Sequence, residues 1–226
     1  VVAIGSMAMA DYFTDFNGWV TADLDTMPGW SREGTVGNVG ITTGLGTNLS
    51  DVVQIGFGAF AWFEPAEADQ RAQGTLEFDV LFNSPTFGFP NLTLYLSDDD
   101  VGIQAVWLRV GQEPGAGGDG MDLFVFDPGL PSGSVVIADF MAKDVWTRFR
   151  IEFDAVADSY DLFADATQLL DDRPFWGNVA EINRIAWNNA VGWNLQIDNI
   201  SLRGPEWTIG GSAGVEGVVL AGLPGP

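Results

Sequence analysis

The chain is expected to be an all-β protein, two antiparallel sheets packed as a sandwich, and three observations carry that expectation. Trp146 to Asp165 reads as one hairpin with two distinct faces; short apolar or alternating runs separated by turn residues recur along the chain; and helix-forming composition is confined to Pro65–Gln73. In the hairpin's first strand Thr147, Phe149, Ile151 and Phe153 share one face while Trp146, Arg148, Arg150 and Glu152 share the other, the period of two of a half-buried strand. Asp154-Ala-Val-Ala-Asp-Ser supplies the turn, and Tyr160 to Ala164 returns. Further strands are expected at Val52–Phe63, Gly74–Phe82, Leu92–Leu96, Ile103–Val110, Met121–Phe126, Ser134–Ala138, Ile182–Trp187 and Trp193–Leu202. Breakers lie between them, including Asn83-Ser-Pro, Ser97-Asp-Asp-Asp, the Gly-rich stretch 111 to 120, Asp127-Pro-Gly-Leu-Pro-Ser-Gly and Asp171-Asp-Arg-Pro. No internal repeat of fixed period is present.

The pattern Trp-x-Arg-Phe-x-Ile-x-Phe-Asp, a turn, then Tyr-x-Leu-x-Ala-Asp resembles the back-sheet hairpin of laminin-G-like and concanavalin-A-like jelly rolls. Gly192 to Arg203 is similar to the closing strand of such domains, and Asp15-Phe16-Asn17-Gly18-Trp19 to a string of their opening strand. The resemblance covers residues 11 to 204 and implies a secreted jelly-roll sandwich, commonly a glycan-binding or adhesive module. It divides the chain into an apolar segment 1–10, a jelly roll 11–204 and a Gly- and Pro-containing apolar tail 205–226.

With 226 residues and 46% hydrophobic composition, the chain holds enough apolar material for one large β domain. It has no Cys and no His, which excludes disulfides, thiol catalysis, Ser-His-Asp triads and His- or Cys-ligated zinc. Acidic residues outnumber basic ones 31 to 9, for a net charge of −22, and Lys143 is the single lysine. Nucleic acid is therefore not expected as a partner, because phosphate binding needs clustered cations. Such acidity suits a surface kept soluble at high salt, as in a halophilic or marine source, or one that collects divalent cations.

Both ends are uncharged. Val1–Ala10 contains Val1, Val2, Ile4, Met7 and Met9, and the last ten residues contain Val218, Val219 and Leu220. Three readings of Val1–Ala10 stand: a strand donated to a neighbouring copy, an edge strand of its own domain, or a signal-peptide remnant with Ala8-Met9-Ala10 as the small-x-small cleavage site. Neither end reaches the roughly 20 residues that span a bilayer, so no transmembrane segment is expected. Head-to-tail strand donation builds an open filament, and a self-assembling extracellular or cell-surface protein whose partners are copies of itself is the leading expectation. A carbohydrate-binding or adhesive module, with an extracellular glycan as partner, is the alternative.

Glu77-Phe-Asp79 and Glu152-Phe-Asp154 each put two acids on one strand face, without the Glu-x-Asp-x-x-Glu string that marks jelly-roll glycosidases, so no enzymatic activity is expected. Carboxylates are hard ligands suited to Ca²⁺, the candidate cofactor. Asp98, Asp99 and Asp100 crowd one turn; Asp119 and Asp122 belong to a Gly-Gly-x-Gly-x-Asp string; and Asp15 with Asp198 form a third candidate if, as the resemblance implies, opening and closing strands lie together. Each set has an ordinary reading as turn or solvent-face residues. Sugar stacking would fall to exposed aromatics. Trp176, Trp30 and Trp207 adjoin breakers and are the candidates, Trp176 first, whereas Trp62, Trp107, Trp146, Trp187 and Trp193 lie within strand runs and are expected to be packing residues. Asn48, Asn91 and Asn199 head glycosylation sequons.

Overall fold

A computed structural model describes residues 12–17, 24, 27–33, 39–42, 51–56, 58–66, 71–83, 92–98, 102–111, 120–130, 134–189 and 194–204. The apolar segments 1–10 and 205–226, with every assembly residue named above, lie outside them, as do Asp99, Asp100, Asp119, Trp193, Trp207, Asn48 and Asn91. The described residues form fifteen strands: β1 (Tyr12–Thr14), β2 (Trp30–Glu33), β3 (Val39–Thr42), β4 (Val52–Ile55), β5 (Ala59–Phe63), β6 (Gln73–Asn83), β7 (Leu92–Asp98), β8 (Ile103–Gly111), β9 (Gly120–Phe126), β10 (Ser134–Ala142), β11 (Thr147–Asp154), β12 (Ser159–Ala164), β13 (Thr167–Pro174), β14 (Arg184–Asn189) and β15 (Asn194–Arg203). One sheet runs β13-β12-β11-β6-β15-β4-β3 with β1 also on β15; the other runs β10-β9-β8-β7-β14-β5-β2, and every pairing is antiparallel. Among the described residues no helix is long and apolar enough to cross a membrane.

The hairpin forms as its alternation requires. Thr147, Phe149, Ile151 and Phe153 are buried, and Phe149 to Asp154 pair with Ala164 back to Ser159. Its turn is built by aspartates. The Asp154 carboxylate accepts hydrogen bonds from the backbone N–H of Val156 and Ala157 and from Gln73 Nε2, and Asp158 takes a left-handed φ of 59°. Burial by itself pushes the Asp154 carboxyl up, but these three hydrogen bonds outweigh it and hold the group below its ordinary value. A depressed folded value stabilises the fold above the unfolded carboxyl's value of about 3.9, and that contribution disappears as pH falls through the folded value. Asp154→Asn is therefore expected to flatten the acid limb of an unfolding titration below about pH 4. An acid limb as steep as the parent's would refute this role for the turn.

Left-handed aspartates recur at Asp139, Asp144, Asp165 and Asp172. Asp tolerates this conformation better than most side chains because it bonds its own backbone neighbourhood. Part of the chain's acidity is thus turn chemistry.

Several strand limits differ from expectation for physical reasons. The run Val52–Phe63 divides into β4 and β5, which belong to opposite sheets, with Gly58 at φ 67° in the crossing and its N–H on the Asn189 carbonyl. Strand β10 continues to Ala142 past a bulge at Asp139, whose N–H is held by Asp122 Oδ1. Strand β13 runs through the expected breaker at Asp171-Asp172; as a mostly exposed edge with irregular register, it has no apolar alternation to announce it. Of Pro65–Gln73, Pro65 and Ala66 lack regular structure, Arg71 bridges Ile182 and Gln73 opens β6.

The core lies between the sheets, where Leu76, Phe78, Val80, Phe149, Ile151, Ile197, Ile200 and Leu202 of one meet Leu94, Leu96, Val106, Leu108, Leu123, Ile185 and Trp187 of the other. Opening and closing strands do lie together. Tyr12, Phe13 and Thr14 pair with Leu202, Ser201 and Ile200, and Phe16 just beyond is fully buried against Trp30.

Candidate functional site

The outer face of the seven-stranded sheet carries a row of aromatic side chains. Strand alternation turns Ala61 and Phe63 of β5, Leu94 and Leu96 of β7, and Val106 and Leu108 of β8 toward the core, which leaves Trp62, Tyr95 and Trp107 pointing away from it. Register aligns them: Ser31 lies opposite Trp62, Trp62 opposite Ala186, Ala186 opposite Tyr95 and Tyr95 opposite Trp107. At the far end Trp107 stacks on Phe126 of β9, with ring centroids 4.0 Å apart.

Trp176 completes this corner from outside the sheet. The connection from β13 to β14 crosses between the sheets, and the Trp176 N–H donates to the Ala105 carbonyl at 2.7 Å. Gly177 follows against Ile103, where a Cβ would lie 2.4 Å from Ile103 Cγ2. The Trp176 ring, 36% exposed, stands edge-on to Trp107 and Phe126, with centroids 5.6 and 6.2 Å away.

A second row, one pleat along, aligns Glu33, Phe60, Asn188, Thr93, Arg109 and Phe124. Arg184 lies over Trp62, Cζ 5.6 Å from the ring, and its Nε donates to Glu64 Oε1 at 2.9 Å. The Trp62 indole N–H donates to the same oxygen. Glu33, Phe60, Tyr95, Gln104, Arg184 and Asn188 line a cleft of about 550 Å³ on this face. Flat rings with amide and charged groups at their edges can stack on one face of a flat ligand while hydrogen-bonding its rim.

Of the three stacking candidates, Trp176 lies on this face and Trp207 is outside the described residues. Trp30 requires correction: it is 3% exposed and stacks on Trp187 at 5.7 Å in the core, because β2 turns it inward opposite Phe63. Trp62 and Trp107, expected as packing residues, lie on the outer face instead. Parity was the available signal: Trp107 is two residues from Arg109 and alternates with Val106 and Leu108, so it shares the face of the charged residue.

Asp98 is turned inward and 5% exposed, with Asn183 Nδ2 on its Oδ1. Asp122 is buried and engaged by Asp139 N–H. Asp15 accepts from the N–H and Nδ2 of Asn17, and Asp198, fully buried, accepts from the N–H of Asn199. Among the described residues no three acidic groups gather as they would around a metal ion. The paired acids of the other sheet are also engaged: Glu77 by Arg203, Asp79 by Arg148 and Asn199, and Glu152 by Arg150. Asn199, which heads the third sequon, donates its amide Nδ2 to Asp79 Oδ2 at 2.7 Å.

Two antiparallel sheets with their strands in this order make the protein a jelly-roll sandwich in fold. No family model matches the chain, and no curated protein matches it. Among solved structures it is similar to a sialidase (TM-score 0.62, 12% identity, 88% of this chain and 19% of that one), so it spans about a fifth of that protein's length. It is also similar to a carbohydrate esterase of a Shiga toxin-encoding bacteriophage (0.59, 11%, 87% and 98%). A third is a glycoside hydrolase family 16 endo-glucanase from Bacteroides ovatus (0.59, 12%, 84% and 99%). At these identities the likeness establishes the fold alone.

Proposed function

We propose that the protein is an extracellular carbohydrate-binding jelly-roll module whose binding surface is the outer face of the seven-stranded sheet. The observation that carries this reading is the row Trp62, Tyr95, Trp107 and Phe126, aligned across the strands and closed at one end by Trp176. Pyranose rings present apolar C–H faces to such rings and hydroxyls to the amides and charges beside them. Solved structures of the same fold include proteins described as an endo-glucanase, a laminarinase and a carbohydrate esterase, which suits a sugar ligand. Binding without turnover is the form proposed, since Glu33 is the one carboxylate among the described residues that line the cleft, and the nearby Glu64 is engaged by Arg184 and Trp62. Self-assembly through the apolar ends gains no support from the described residues, because both ends lie outside them.

A glycan array followed by titration calorimetry tests the proposal. Trp176→Ala and Trp107→Ala are each expected to weaken binding about tenfold or more, the usual cost of truncating an aromatic anchor. Trp176→Ala should leave the unfolding midpoint near the parent's, because the ring is partly exposed on a connection. Parent-like affinity in both folded variants, or an array on which the parent binds nothing, would refute the assignment.

A further inference from the structure

We propose that the corner formed by Trp107, Phe126 and Trp176 takes a sugar bearing a carboxylate, a uronate unit of an acidic glycan, and that Arg109 receives the carboxylate. This rests on the reading of the face as a glycan site and adds the charge of its ligand.

Cations are scarce in a chain of net charge −22, and almost all are engaged. Arg148, Arg150, Arg173, Arg184 and Arg203 pair with Asp79, Glu152, Asp127, Glu64 and Glu77, and Arg32 and Arg71 have interactions of their own. Arg109 differs. Among the described residues it has no carboxylate and no hydrogen-bond acceptor; its contact is the ring of Phe126, with Cζ 5.5 Å from the centroid. Its Nε is closed off from solvent without a partner.

Position makes that guanidinium available to a stacked sugar. Arg109 is two residues from Trp107 on β8, on the same face, between Thr93 and Phe124 in register. It leans over Phe126, the ring on which Trp107 stacks and to which Trp176 stands edge-on. A pyranose lying on this corner therefore has one guanidinium at its rim. A guanidinium short of acceptors gains most from a planar two-oxygen partner, which a carboxylate supplies through paired N–H···O bonds. The competing account is a purely structural cation–π contact with Phe126, which would give no preference between acid and ester. The overall negative charge opposes any anion at long range, yet at physiological salt that repulsion is screened beyond about 8 Å, whereas a contact pair is not.

The experiment is titration of the full chain at physiological salt with three oligosaccharides of equal length: an oligouronate, its methyl ester and a sulfated neutral oligomer. The parent is expected to bind the free acid about tenfold or more tightly than the ester, as a charge-assisted hydrogen bond requires. Arg109→Gln should abolish that preference, read as the ratio of acid to ester affinity within the variant itself. Equal affinity for acid and ester, or a preference that survives Arg109→Gln, overturns the uronate assignment and leaves the glycan site standing. Tighter binding of the sulfated oligomer also overturns it, in favour of a sulfate ester, and binding of no sugar overturns both. If Arg109→Gln does not fold, the acid-to-ester ratio of the parent protein decides alone.

Discussion

Replacing Trp187 with alanine is expected to cost the fold about 3–5 kcal/mol, the range for truncating a fully buried large aromatic side chain. Trp187 sits on β14, has no exposed surface, and faces Ala61 on one neighbouring strand and Leu94 on the other. It stacks on Trp30 at 5.7 Å and meets Phe78 of the opposite sheet edge-on at 5.9 Å, so one indole joins the two layers. The small residue at position 61 cannot expand into the void, and the surrounding strands are held by ladder hydrogen bonds, so collapse around the cavity is limited. In a chain of this size each kcal/mol moves the midpoint by about 2–4 °C, which predicts a fall of about 10 °C in a thermal melt. Trp187→Phe should cost much less, since the indole N–H is buried without a described partner and its removal relieves an unsatisfied donor. A melt in which the alanine variant loses only a degree or two would show that the two sheets are not joined at this point.

The second large effect is expected at Asp79. Its carboxylate is almost wholly buried although it lies on the outer side of the eight-stranded sheet, because Arg148 and Asn199 cover it. Arg148 engages both oxygens, Nε to Oδ1 at 2.7 Å and Nη2 to Oδ2 at 3.1 Å, and Asn199 Nδ2 reaches Oδ2 at 2.7 Å. The Asp79 hydrogen bond, reinforced by the charges of Asp79, Glu77 and Asp165, raises the Arg148 guanidinium above its ordinary value, so the cation persists at every accessible pH. The Arg148 side chain is half exposed, so the ion pair contributes less than a buried one. What decides the magnitude is Asn199, which holds a left-handed φ of 51° in the bulge where β15 shifts register against β6. Asp79→Ala removes the acceptor that anchors this conformation and is expected to cost about 2 kcal/mol. Arg148→Ala, which leaves water able to reach the carboxylate, should cost less than Asp79→Ala. Denaturant titration of both variants checks the ordering, and a reversed order would locate the stabilisation in the salt bridge rather than the bulge.

Much of the sandwich is legible in the chain because alternation is a local property. Phe149, Ile151 and Phe153 declare a buried face without reference to anything distant, and Asp154 with Asp158 declare the turn that follows. Legibility fails where a residue's setting depends on what crosses over it. Trp30, beside Gly29, has the surroundings of an exposed loop residue, yet β2 lies at the edge of a sheet that turns it inward. Asp79 has the alternation of a solvent-facing acid, and only the return of β15 alongside β6 brings Asn199 over it.

What the amino-acid order determined by itself is the class of architecture, the period of each strand and the chemistry of its turns, since all three depend on neighbours within a few positions. The tertiary structure alone decided which aromatic residues are core and which form the row from Trp62 to Phe126. Alternation separates two faces of a strand, but only the docking of one sheet on the other, and of the Trp176 connection across an outer face, determines which of them water can reach.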